Sequence, residues 1–100
     1  MHFVYEGILS RDKMQLEDLP PYQLLRVITG ILERESSGPD DLFRHLEDFN
    51  RYAISKGLHP AFRIIYQGGQ PTVSVYQRYT QRDKKVLLDF IEILGERFGL

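Results

Sequence analysis

The sequence predicts a single α+β domain over residues 1–100, in the order β-α-α-β-β-α. The expected architecture is a two-layer sandwich, a small three-stranded, mainly antiparallel sheet with helices packed on one face. Three observations lead there. Residues 61–79, AFRIIYQGGQPTVSVYQRY, read as a β-hairpin. Stretches opening at Pro20-Pro21, at Pro39 and at Thr80 carry apolar residues at helical spacing. Residues 2–9, HFVYEGIL, are aromatic and β-branched and read as a first strand.

Taken in order, residues 10–19 are polar with Met14, Leu16 and Leu19 interspersed, a connection with room for one helical turn. Proline suits a first helical turn, where its missing N–H is not needed, so Pro20-Pro21 opens a helix. Its apolar stripe is Tyr22, Leu25, Val27, Ile28, Ile31 and Leu32, with Leu24 beside it, and the helix fades at Ser36-Ser37-Gly38. Gly30 interrupts it at a cost of about 1 kcal/mol relative to alanine, which close packing against a neighbour would explain. Pro39 starts the next helix, with Asp40 and Asp41 at the positive end of the dipole. Leu42, Leu46, Phe49 and Ala53 form its stripe, and Phe43 and Ile54 widen it. Gly57 followed by Leu58 suits a helix stop, and His59-Pro60 forces the chain to extend. The last helix takes Thr80 as N-cap, with Asp83 in the capping-box position. Val86, Leu87, Phe90, Ile91, Leu94 and Phe98 lie on its apolar face.

In the hairpin, Gly68-Gly69 accepts the positive φ angles of a tight loop. A two-residue loop opposes Ile64 to Val73 and Phe62 to Val75; a four-residue loop opposes Ile64 to Val75 and Tyr66 to Val73. Both registers leave the same residues on each face, because an even shift preserves the period of two. The expected inner face is Phe62, Ile64, Val73 and Val75. The expected open face is Arg63, Ile65, Ser74, Tyr76 and Arg78.

Composition sets bounds on function. A chain of 100 residues with 42% hydrophobic content can build one core without metal or disulfide support. It has no cysteine, which removes disulfides, thiol nucleophiles and thiolate metal sites and fits a reducing compartment. Residues 1–9 show no basic leader, and no apolar run approaches the ~20 residues of a membrane helix. The expected location is cytoplasmic. The net charge of −1 hides an asymmetry. Residues 1–50 hold five Lys/Arg against ten Asp/Glu, and residues 51–85 hold seven against one. Two complementary halves of one fold explain this as readily as a binding face does.

Three constellations bear on chemistry. Gly68-Gly69-Gln70 resembles the GGQ of peptide-chain release factors, and that resemblance would imply a glutamine entering the ribosomal peptidyl-transferase centre to promote ester hydrolysis. The match covers three residues, and a glycine turn with a polar neighbour accounts for them. Asp41, His45 and Asp48 share a helix face by spacing, yet there is no second nearby histidine and no H-E-x-x-H pattern, so a solvated face is the reading adopted. No nucleophile elbow, P-loop or dinucleotide glycine pattern is present. Neither an enzyme nor a cofactor, metal or small-molecule site is expected.

The remaining constellation is Arg63, Tyr76, Gln77, Arg78, Tyr79, Gln81, Arg82, Lys84 and Lys85. Cations with interleaved tyrosines suit single-stranded nucleic acid. Tyrosine and arginine are also enriched at protein interfaces. The slight acidity of the whole chain favours the protein reading. The expectation is a regulatory or interaction module that meets a protein partner, or itself, through the open sheet face and hairpin edge. Arg63, Ile65, Tyr76, Arg78, Arg82 and Lys85 are the contact residues; nucleic-acid binding by residues 63–85 is the alternative.

Overall fold

The clearest local signal, the glycine pair, also fixes the hairpin. In the computed structural model, which describes residues 15–75 and 78–100, Gly68 and Gly69 adopt φ of 58° and 80°. Two successive positive φ angles are the geometry of a type I′ loop, whose twist matches that of the flanking strands. Strands β1 (Phe62–Gln67) and β2 (Gln70–Val75) are therefore antiparallel with Phe62 opposite Val75 and Ile64 opposite Val73. The two-residue loop is the one realised. The hairpin is a two-stranded sheet, and the strand expected at residues 2–9 lies outside the described residues. The fold is α+β, with three α-helices among the described residues: α1 (Pro21–Glu35), α2 (Pro39–Ser55) and α3 (Lys84–Phe98).

The described chain falls into two compact units. One comprises the residues up to Ile31 together with Tyr79–Leu100, and the other is Leu32–Arg78. In the first, the polar connection makes one 3₁₀ turn, Leu16–Asp18, and α1 begins after Pro20. Leu24, Leu25, Val27, Ile28 and Ile31 of α1 are buried, as are Leu87, Phe90, Ile91 and Leu94 of α3. Tyr22 departs from the expected stripe and is 49% exposed. At about 100° per residue it projects well away from the face shared by Leu24, Leu25, Ile28 and Ile31. The Thr80 N–H donates to the Asp83 carboxylate at 2.8 Å and the Thr80 side chain accepts from the Asp83 N–H, the two halves of the expected capping box. The turn it opens is 3₁₀ over Gln81–Asp83 before α3 starts at Lys84.

Among the described residues, a Cβ built at Gly30 meets nothing within 4 Å, so none of them is closely packed there. Only the glycine's entropic cost then remains, so Gly30→Ala is expected to raise stability by about 1 kcal/mol. The measurement is a higher urea midpoint at unchanged slope. A lower midpoint would show that the neighbouring space is not open.

In the second unit, Asp41 secures the start of α2. Its carboxylate accepts the Ser37 N–H at 3.0 Å and the Arg44 guanidinium at 2.5 Å. The Ser37 amide, and after it Arg44, hold the Asp41 carboxyl below the usual carboxylate range. At the other end, the Leu58 N–H donates to Ala53 O and the Gly57 N–H to Ile54 O, with Gly57 at φ 83°. These are the two bonds of a Schellman stop, so the Gly57-Leu58 signal is realised. Leu46, Phe49 and Ala53 are buried, whereas Ile54, expected to widen the stripe, is 56% exposed. Among the described residues, no helix is long and apolar enough to cross a membrane.

Candidate interaction surface

The hairpin is held at its base. Helix α2 packs against β1, and the contact centres on Phe49 and Phe62, whose rings meet edge to face at 5.6 Å between centroids and 68° between planes. Beside them Asn50 reaches across from α2. Its Oδ1 accepts the N–H groups of Ala61 and Phe62, both at 3.0 Å, and its Nδ2 donates to Phe62 O at 2.6 Å. One carboxamide thus satisfies two donors and one acceptor of the chain as it enters β1. The opposite orientation of the amide would set donor against donor.

Burial then falls along the strand from Phe62 toward the turn. This reverses an expectation. The face predicted to be inward carries Phe62, Ile64, Val73 and Val75, and of these only Phe62 is buried, with Ile64 half-buried. Val73 is 36% exposed, Val75 44%, and Tyr66 on the same face 69%. The aromatic pair and the Asn50 bridge act at the first residues of β1 and bury Phe62, but they do not cover Val75, its partner across the ladder. The opposite face is mostly polar, with Arg63, Gln67, Thr72 and Ser74, and the Thr72 hydroxyl donates to Ile65 O at 3.2 Å.

The residues expected to meet a partner are placed as follows. Arg63 is exposed on the polar face and Ile65 is half-buried there. Tyr76 lies outside the described residues. Arg63 and Arg78 come together with His59, Pro60 and Phe62 around a cleft of about 430 Å³ at the open end of the hairpin. Arg82 and Lys85 belong to the other unit; both are exposed, and the Lys85 ammonium faces the Asp89 carboxylate at 3.1 Å. Lys84 Nζ donates to Glu17 O at 2.5 Å. Tyr79 is half-buried, and burial, with Asp83 adding, pushes its hydroxyl up to about 12. The basic and aromatic run is therefore not one uniform strip of solvated side chains.

The acidic face of α2 is occupied locally. Asp41 faces Ser37, Arg44 and, at 3.5 Å, His45 Nε2, and Asp48 pairs with Arg51. Among the described residues no three His, Asp or Glu side chains converge to hold an ion. In Gly68-Gly69-Gln70 both glycines are spent on the positive φ angles of the loop.

Two contributors escaped the sequence reading. Tyr66 alternates with Phe62 and Ile64, and exposure this high follows only from knowing where the hairpin is tied. Asn50 did leave a signal. Asparagine is a poor residue for a helix interior, because its amide competes for backbone groups, and here it sits directly after the buried Phe49. Comparison with known proteins returns no match, whether to a protein family, to a curated protein or to a solved structure.

Proposed function

We propose that this chain is a non-enzymatic interaction module that engages a protein partner, another chain or a second copy of itself, through the hairpin. The observation that carries this reading is the exposed apolar face of β1 and β2, where Tyr66, Val73 and Val75 stand together. A rigid tyrosine beside two branched aliphatic residues gives contact area at small conformational cost. The strand edges add main-chain donors and acceptors that an extended partner segment can pair with.

The test is the double variant Tyr66→Ser, Val73→Thr, compared with wild type by sedimentation velocity and by quantitative affinity capture. Because both side chains are exposed, the melt should stay within about 0.5 kcal/mol of wild type, while association weakens by at least about tenfold. Association that survives the double variant, or a wild type that remains monomeric and retains no protein, sinks the proposal. Nucleic-acid binding by residues 63–85 ranks second. Arg63 and Arg78 on one cleft favour it, whereas Tyr79, Lys84 and Lys85 are partly committed within the fold. Its signature is a log–log salt slope of about one per phosphate contacted.

A further inference from the structure

The two edges of the hairpin are not equivalent. Across a two-residue loop the closing pair, Gln67 and Gln70, exchanges its main-chain hydrogen bonds, and bonded and non-bonded pairs alternate from there. Phe62, Ile64 and Tyr66 therefore turn their N–H and C=O groups away from β2, while Val73 and Val75 turn theirs away from β1. Two observations fit this alternation. Asn50 takes the outward N–H and C=O of Phe62, and Pro71 stands at an outward position, where no ladder donor is lost. Asn50 thus fills the first pairing place on the β1 edge, the strand against which α2 packs. On the β2 edge, among the described residues, nothing pairs with the outward groups of Val73 and Val75, and both residues are exposed.

We infer that the β2 edge is a self-association site, where a second copy of this chain adds its own β2 antiparallel, about a two-fold axis at Ser74. In that register Val73 of each copy exchanges N–H and C=O with Val75 of the other, so no outward group of either valine is left unpaired. Sliding the strands toward the loop would set a carbonyl of each copy against Pro71, which has no N–H to give. Charge selects a second copy as the occupant. No residue from 64 to 77 is charged, so an isologous pairing opposes no like charges, and the net charge of −1 leaves little repulsion between copies. The edge equally offers no charge by which a foreign strand could be recognised. The two-fold also matches side chains: valine meets valine on one face, and Ser74 meets Ser74 on the other. The joined sheet carries Tyr66, Val73 and Val75 of both copies on one apolar face, and a wider sheet is stabler than a lone hairpin. The inference rests on the reading of the chain as a hairpin interaction module and names its partner.

Because the chain has no cysteine, Ser74→Cys in the full chain gives one thiol per copy and reads the register directly. A non-hydrogen-bonded antiparallel pair holds its Cα atoms about 4.5 Å apart, within the span of a disulfide. Mild oxidation of Ser74→Cys is expected to give a covalent dimer. Thr72→Cys, whose copies would lie about 13 Å apart along the strands, is expected to stay monomeric on a denaturing gel. Sedimentation velocity of the wild type over a concentration series should show a reversible dimer. Val73→Pro removes an outward N–H without touching the β1–β2 ladder and should weaken that dimer by at least about tenfold. Val73→Lys, which sets a charge on the uncharged edge, serves the same comparison should the proline variant unfold. No cross-link at Ser74, equal cross-linking at Thr72, or a dimer unchanged in both Val73 variants overturns the pairing. The amides of Val73 and Val75 should also exchange more slowly as concentration rises. Slow exchange that is independent of concentration would give the edge to another part of the same chain and overturn the inference. A monomeric wild type that still captures a protein, lost with Tyr66→Ser, Val73→Thr, overturns the second copy alone and leaves the module reading standing.

Discussion

Replacing Phe49 with alanine is expected to cost about 3–5 kcal/mol of folding stability, the largest loss for a single substitution in the hairpin-bearing unit. Phe49 is fully buried and among the largest side chains to be so. Truncation removes the transfer free energy of its ring and leaves a cavity under β1, and it also strips Phe62 of its edge-to-face partner at 5.6 Å. Phe49→Leu separates these effects. It restores most of the buried volume while losing the ring pair, itself worth about 0.5–1.5 kcal/mol beyond area burial. Urea unfolding at constant slope measures both. Because a domain of this size has only about 5–15 kcal/mol to lose, the alanine variant should populate unfolded molecules at moderate temperature. A cost below about 1.5 kcal/mol would mean that the site collapses around the gap and that the aromatic pair does not hold the hairpin.

How much of this was legible beforehand differs between elements for physical reasons. The three helices and the hairpin loop are written in local chemistry. Pro39, Gly57-Leu58, Gly68-Gly69 and the Thr80/Asp83 pair each act within a few residues, so sequence spacing suffices to read them. Faces are harder to read. The period of two groups Phe62 with Ile64, Val73 and Val75, yet whether that face is covered depends on what lies across from it, which period alone does not state. Phe62 is buried because Phe49, thirteen positions away, comes to it; Val75, directly opposite Phe62 in the register, is not. Tyr22 and Ile54 fail the same way, as apolar residues at the margin of a stripe whose width is set by tertiary neighbours. Of the contact residues, Arg63 and Arg78 line one cleft although they are far apart in sequence, a non-local fact that spacing alone does not state. Arg82 and Lys85, near them in sequence, follow a different set of contacts.

Asn50→Ala is the second large effect, expected at about 2–3 kcal/mol, and it tests how the surface is positioned rather than how it is packed. The substitution leaves the N–H groups of Ala61 and Phe62 and the carbonyl of Phe62 without their carboxamide partner in a part-buried setting. Each abandoned group costs part of its desolvation penalty. Asn50→Asp sharpens the test. A carboxylate can still accept both N–H bonds, but it places an acceptor against Phe62 O where a donor stood at 2.6 Å. The protonated carboxyl can donate there, so folding favours the neutral form and raises the pKa of the introduced group above its unfolded value. The sign follows from linkage: Asn50→Asp should be destabilised at neutral pH and should recover relative to wild type as pH falls through that raised pKa. Amide exchange locates the damage. In Asn50→Ala the amides of β1 should exchange faster by a larger factor than those of α3, because the bridge ties the hairpin and not the core of the other unit. Uniform acceleration would make Asn50 a general stabiliser. Selective loss would show that one carboxamide sets where Tyr66, Val73 and the cleft arginines stand, and therefore what partner they can meet.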